Sequence, residues 1–308
     1  MRIDQILPTS RPCFSFEFFP PKTPEGQSSL EHALSELKND SPDYVSVTYG
    51  AGGTTRERTV EVTKWIKEDV GLEAMAHLSC VGEPVERLRE ILDELGAAGI
   101  DNVLALRGDP PRGQAEWVPH PSGLNYSVEL IELIRSNYDY CIGAACFPEV
   151  HPEAPNLEHD LQYLKRKVDA GASFLISQLF FDNEMYFDFV EAARAHDIDV
   201  PIIAGIMPIT NFEQIKRFTT LCGSTIPPAL LQQLEARHEE GDEVAVTELG
   251  VAYATLQCAD LLERGAPGIH FYTLNKSPAT RAVMSALKAA RPWERADATS
   301  QAPAHPPG

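Results

Sequence analysis

Short β-rich runs recur along the chain, and each is followed by a stretch with helical periodicity. The runs FSFEFF (14–19), YVSVTY (44–49), AMAHLSC (74–80), NVLALR (102–107), CIGAAC (141–146), SFLISQLF (173–180), PIIAGIM (201–207) and GIHFYTL (268–274) predict eight strands. Between them, apolar residues fall at helical spacing: Leu30, Ala33, Leu34 and Leu37; then Leu88, Ile91, Leu92 and Leu95; then Leu157, Leu161, Leu164 and Val168. Strict alternation implies parallel strands joined by crossover helices, in either an open doubly wound sheet or a closed barrel. Eight units in 308 residues favour closure, since a (β/α)8 TIM barrel takes about 250 residues. The expected fold is therefore α/β, one barrel domain over residues 1–292.

Two segments depart from the simple repeat. A longer stretch, 222–265, predicts two helices, Pro228 to His238 and Glu243 to Arg264, around the polar turn EEGD, as an extra helical elaboration before the last strand. After Pro292, the tail WERADATSQAPAHPPG (293–308) has no apolar period to bury and reads as disordered.

Composition narrows the partners. A formal net charge of -19 opposes nucleic acid or an anionic membrane surface as the main partner. No stretch approaches the roughly 20 apolar residues of a membrane span, and the amino terminus has no apolar signal core. The six cysteines are scattered without a CxxC pair, which suits a reducing, cytoplasmic compartment. The nine histidines show no HExxH or paired-ligand spacing, so no metal site is expected.

In a (β/α)8 barrel the chemistry sits at the carboxyl ends of the strands. Polar residues occupy those ends here: Glu17, Thr48, His77, Arg107 with Asp109, the His151 loop, Gln178 and Tyr272. The period of two puts Phe14, Phe16 and Phe18 on the helix-facing side of the first strand, with Ser15 and Glu17 toward the barrel axis. A carboxyl so placed, among aromatics and desolvated by a ligand, is expected to have a raised pKa and to serve as a general acid; the alternative is a buried Glu paired with an Arg. Gly108 lets the chain turn sharply between Arg107 and Asp109, and two prolines stiffen the loop that presents His151. Lys165-Arg166-Lys167 is either a solvated helix face or a contact for a dinucleotide's pyrophosphate. Gly50-Ala51-Gly52-Gly53 has neither Walker A nor GxGxxG spacing and reads as a flexible loop near a cofactor. His77 alone would usually be a satisfied core histidine.

The blocks FEFFPPKTPEG, VSVTYGAGG, LALRGDPP, FPEVHPEA, LKRKVDAGASFLISQLFFD, IIAGIMPITNF and HFYTLNKS span residues 16 to 277 in order, and together they resemble methylenetetrahydrofolate reductases. The resemblance implies non-covalent FAD across the strand ends, with NADH or NADPH and the folate using one flavin face in turn. Glu17 then matches the proton donor that opens the substrate's five-membered ring, and Asp109 the carboxylate that holds the pterin and influences the flavin. The matched flavin contacts are Thr48, Tyr49, Ala51, His77, Arg107, Gly108, Asp109, Phe147, His151, Ala154, Asp160, Arg166 and Lys167; the substrate or nicotinamide contacts are Gln178, Gln214, Phe218, Tyr272 and Lys276. Phe147 stands where some relatives have Tyr, and Lys276 where some have Arg, which removes a hydroxyl and a bidentate fork respectively.

The reaction so implied is ping-pong and serves methionine synthesis, by a protein that acts as a monomer or a homo-oligomer. No regulatory domain of the eukaryotic type is expected. The rival readings are another flavin barrel of the proline dehydrogenase type and a non-catalytic folate or flavin carrier, because a fold alone does not set the substrate.

Overall fold

The computed structural model describes residues 1–7, 11–49, 53–108 and 120–295, without the side chains of 53–57. Asp109 and Ala51, and Gly50 and Gly52 with them, lie outside the described residues, as do positions 296–308 of the predicted tail.

Eight parallel strands close in sequence order, β1 through β8, with β8 pairing back onto β1. They are β1 Cys13–Phe18, β2 Tyr44–Val47, β3 Ala74–Ser79, β4 Asn102–Leu106, β5 Cys141–Cys146, β6 Phe174–Ser177, β7 Ile202–Ile206 and β8 Gly268–Tyr272. The helices are a short α1 Ile3–Ile6, then α2 Pro24–Lys38, α3 Gly53–Trp65, α4 Val85–Ala97, α5 Ser127–Asn137, α6 Leu157–Asp169, α7 Asn183–Ala195, α8 Phe212–Cys222, α9 Pro228–Glu239, α10 Glu243–Glu263 and α11 Pro278–Ala290. The expected (β/α)8 barrel is thus observed. The pair α9 and α10 lies where the pattern around EEGD put it, with Asp242 capping α10 through the amide of Ala245.

Alternation sorts the strand residues into two cores. Phe14, Phe16 and Phe18 pack outward with Leu30 and Leu34 of α2 and Phe271 of β8. Inward, Tyr44, Met75, Leu104, Phe174, Ile176 and Ile203 fill the barrel, so it is a packed core. Gly143 makes room for this filling, since a Cβ there would lie 2.6 Å from the Phe174 ring. Ile3, Ile6 and Leu7 join the same inner cluster and plug the amino end of the barrel.

The seventh place in the outer ring is not held by the helix that directly follows β7. It is α10 that packs beside α11, α7 and β7, while α8 carries Phe218 and Cys222 to the mouth of the barrel. Gly250 allows this, because a Cβ on it would sit 1.9 Å from the carbonyl of Ile209. A satellite cluster of Leu179, Phe181, Ile209, Phe212, Leu230, Leu234 and Val246 binds α8 to α10 together. Trp293, assigned to the tail by pattern, packs edge-on against Phe14 with ring centroids 5.8 Å apart, so the packed chain runs past Pro292.

Candidate active site

A cavity of about 390 Å3 opens at the carboxyl ends of the strands, within the range of small-molecule sites. Leu104, Leu106, Ile176, Leu179, Met207 and Val81 make most of its wall apolar. Eight of the sequence-predicted residues line it: Glu17, Thr48, Tyr49, His77, Gly108, Gln178, Phe218 and Tyr272.

Glu17 stands between two imidazoles. Its Oε2 is 3.4 Å from His270 Nε2 and 3.5 Å from His77 Nε2, so the groups beside it are imidazoles and not a guanidinium. Burial works to raise the carboxyl's pKa, but the hydrogen bond from His270 and the facing His77 outweigh it and leave the group below its ordinary value. His77 is itself driven down to about 4 by burial. Near neutrality it therefore faces Glu17 uncharged, and His270 carries the effect. The expected raised carboxyl is corrected on this point, and the reason is directional: the phenylalanines beside Glu17 in sequence face the helices, and its neighbours in space are imidazoles.

The rest of the central site is held by backbone. Tyr272 donates its hydroxyl to the carbonyl of Ser177 at 2.7 Å, across a gap that only Gly205 leaves open. Thr273 donates to the carbonyl of Glu17 at 2.6 Å. Asn275 clamps both the amide and the carbonyl of Phe19 at 2.9 Å, which holds the left-handed pair Leu274 and Asn275 and so places the exposed Lys276 in the turn after β8. Gln178 turns its Oε1 back to the amide of Leu179. Gly108, at φ +92°, admits no side chain, since a Cβ would lie 2.0 Å from Ser79 Oγ.

A second group gathers at the ends of β4 and β5, outside the cavity wall. Arg107 forms a two-pronged pair with Glu153, one prong at 2.8 Å. The His151 amide donates to Asp160 at 2.9 Å, and the His151 ring meets Phe147 edge-on at 4.5 Å. Ala154 closes the same turn through its amide to the His151 carbonyl. Lys167 reaches in to the Ala145 carbonyl at 3.0 Å, and burial pushes its pKa down. His151 is likewise lowered by burial.

The run Lys165-Arg166-Lys167 does not act as one patch, because consecutive helix residues point about 100° apart. Lys165 pairs with Asp169, Arg166 lies exposed over the Tyr163 ring at 5.0 Å, and only Lys167 faces the strand ends. Gln214 lies away from the cavity wall, in the first turn of α8, where its amide meets the Asn211 cap.

Sequence reasoning placed Ser15 toward the barrel axis without giving it a role, and missed His270 and Asn275. The signal for His270 was present, since it sits two residues before Tyr272 on one strand and so shares its face. Among the described residues, no group of three or more His, Cys, Asp or Glu converges as a metal site, and no helix is long and apolar enough to cross a membrane.

The donor set suits a flavin dinucleotide. An apolar slot edged by Thr48, Gln178 and Tyr272 can take a flat conjugated ring with polar edges, and the cations Arg107 and Lys167 at the rim suit a diphosphate.

The family model for methylenetetrahydrofolate reductase matches residues 2–288. The chain is 37% identical over 313 residues to methylenetetrahydrofolate reductase (NADH) 1 of Arabidopsis thaliana, covering 96% of this chain and 52% of the relative. It is 38% identical over 273 residues to the 5,10-methylenetetrahydrofolate reductase of Escherichia coli, covering 89% of this chain and 90% of that one. It therefore spans about half the length of the plant relatives and nearly all of the bacterial one. Among solved structures, an uncharacterized Clostridium thermocellum protein that binds two copies of 5-methyl-5,6,7,8-tetrahydrofolic acid superposes with a TM-score of 0.64 at 16% identity, over 94% of this chain and 99% of its own, a likeness of fold. With the family model matched from residue 2 to 288, the chain belongs to the methylenetetrahydrofolate reductase family.

Proposed function

We propose that this chain reduces methylenetetrahydrofolate to methyltetrahydrofolate with NADH or NADPH, in a ping-pong cycle with FAD as the resident cofactor. The observation that carries the reading is Glu17, a carboxyl in the wall of a mostly apolar cavity, with one oxygen bonded to His270 and faced by His77. Bound FAD supplies the two-electron relay between the nicotinamide and the folate. Thr48, Tyr49, His77 and Gly108 would flank its ring, and Arg107, His151, Asp160 and Lys167, with Arg166 outside them, its phosphates and adenylate.

Glu17 donates a proton to the bridging amine of the folate, which opens the five-membered ring to an electrophilic iminium. Its side chain keeps 19% of its surface exposed; a substrate seated over it removes that water and pushes the carboxyl's pKa up, toward the form that can donate. Gln178 and Tyr272 set the pterin's orientation at the wall, and Asp109 is assigned to the pterin by the family resemblance. Phe218 packs against the substrate from α8, and Lys276 meets a carboxylate of the folate's glutamate as a point charge. The relatives named for NADH in Arabidopsis thaliana and Zea mays support NADH as the reductant.

The test is the absorption spectrum of the purified protein followed by anaerobic titration. A yellow protein that is bleached by NADH or NADPH, recovers on adding methylenetetrahydrofolate and yields methyltetrahydrofolate is the expected result. A protein that neither carries nor takes up FAD sinks the reading, and bleaching by proline but by neither nicotinamide selects the amine-oxidising flavin barrel.

A further inference from the structure

The inward side chains of the first and last strands stand in register, Ser15 level with His270 and Glu17 level with Tyr272. Across this seam Ser15 Oγ lies 2.7 Å from His270 Nδ1, and His270 Nε2 lies 3.4 Å from Glu17 Oε2. Both Ser15 and His270 are fully buried. The imidazole is further held by Tyr44, stacked at 6.3 Å, and by Tyr272, edge-on at 5.4 Å. His77 Nε2 approaches the same carboxylate oxygen from β3, at 3.5 Å.

A neutral imidazole has one N–H and one lone pair, and the group bonded to one nitrogen decides what the other presents. A serine hydroxyl that donates to Nδ1 leaves the proton on Nε2, where it points at Glu17 Oε2. That oxygen is then occupied, and the acid proton must sit on Oε1.

We propose that Ser15 and His270 are positioning residues for the general acid: the serine fixes the imidazole tautomer, the imidazole N–H anchors Oε2, and Oε1 is left as the oxygen that delivers the proton to the substrate. This rests on the reading of Glu17 as the ring-opening acid. Both residues are buried behind the cavity wall and neither lines it, so neither would touch a substrate seated there. Their action is to hold one oxygen of the carboxyl so that its other oxygen faces the reaction in a single orientation.

Among the described residues, few groups face this assembly. Glu17 meets His77 on β3 and His270 and Tyr272 on β8; His270 meets Ser15 on β1, Tyr44 on β2 and Tyr272 beside it. Both tyrosines are raised well above their ordinary values by burial and stay neutral near physiological pH. His77, at about 4, stays neutral as well. A pH profile taken from about 5.5 to 8.5 is therefore compared between the wild type and His270→Phe, so that the carboxyl is read with and without its imidazole partner.

The experiment compares the two half-reactions of the FAD-loaded enzyme by stopped flow across that range, for the wild type and for His270→Phe, His270→Gln, Ser15→Ala and Glu17→Gln. His270→Phe removes the donor to Oε2. It should slow reoxidation by methylenetetrahydrofolate about tenfold or more, and move the limb on which that step falls with rising pH upward by about one unit, a tenfold change in proton affinity. Reduction by the nicotinamide should not change. His270→Gln restores an N–H at the Nε2 position and should return both rate and limb toward the wild type, while Ser15→Ala should shift both in the direction of His270→Phe by less. An infrared titration of the Glu17 carboxyl band, with Glu17→Gln as the blank, should move by the same amount without any turnover. A limb that stays in place in His270→Phe, or an equal slowing of both half-reactions, overturns the assignment. If Glu17→Gln leaves reoxidation intact, the acid reading itself has failed; if Glu17→Gln is crippled and His270→Phe behaves as wild type, only the positioning role has.

Discussion

The two ends of the barrel solve opposite problems with similar residues. At the amino end, Asn102 is fully buried and bonded on both sides: its Oδ1 accepts from the Ile3 amide at 2.9 Å and its Nδ2 donates to the Met1 carbonyl at 3.0 Å. The terminal ammonium joins Glu73 and Asp101, and Lys67 closes on Glu73 from the other side. Ile3, Ile6 and Leu7 seal what is left. At the carboxyl end, Glu17 keeps part of its surface open, and His77 Nε2 is buried without a hydrogen bond among the described residues. At the base, Asn102 and the terminal ammonium are satisfied and contribute stability; at the mouth, His77 is left undersatisfied and poised for a ligand, which is how this fold divides its labour.

That contrast can be broken by substitution, and the largest effect belongs to the mouth. Glu17→Gln keeps the size of the carboxyl and removes its proton, so reoxidation by methylenetetrahydrofolate should fall roughly a hundred- to ten-thousand-fold, with reduction by the nicotinamide largely intact. Stopped-flow traces of each half decide it, and equal slowing of both would make Glu17 structural. At the base the reverse pattern is expected. Asn102→Ala leaves the Ile3 amide and the Met1 carbonyl without partners and should cost about 2–3 kcal/mol in urea unfolding, while turnover per folded, FAD-loaded molecule stays at the wild-type level. A loss of turnover without a loss of stability would erase the distinction between the ends.

His77 sharpens the comparison through pH. Its ring resists protonation in the fold down to about 4, against an ordinary 6.5. Between those values the unfolded chain takes up a proton that the folded one refuses. The stability tied to this ring is therefore complete above about pH 6.5, falls as the pH drops, and levels off below about 4. From pH 7 to 5 the loss should be on the order of 2 kcal/mol, and His77→Asn should flatten that part of the curve in urea titrations. An unchanged slope would mean that the mouth carries no such penalty. The smallest effect is expected at the rim, where Arg166 is exposed over Tyr163. Arg166→Ala should weaken FAD binding by roughly tenfold or less, and more than it slows the loaded enzyme. Equilibrium dialysis measures this, and an unchanged affinity returns Arg166 to the solvated helix face.

Some of these assignments were legible along the chain and some were not. The run SFLISQLF reads as one long strand, yet β6 stops at Ser177, because Leu179 and Phe181 leave the barrel to pack with the cluster under α8 and α10. A continuous apolar run has no period that marks where burial changes partner. The cations 165–167 looked like a unit in sequence and are dispersed by the helical turn. Glu17 was located correctly by strand position, while the direction of its pKa was not, since that depends on which neighbours cross the barrel.

Alternating hydrophobicity by itself determined the eight strands, their inward and outward faces, the helical pair before β8 and the end of the barrel where chemistry belongs, because each of these follows from residue spacing of two or 3.6 and from the handedness of crossover connections. Only the tertiary structure decided that α10 fills the ring and α8 the mouth, that Arg107 and Glu153 meet at the rim, and that His270 reaches Glu17. The last contact joins residues 253 positions apart. It exists because closure brings the last strand back beside the first in one particular register, and register is a property of the closed sheet that no local pattern encodes.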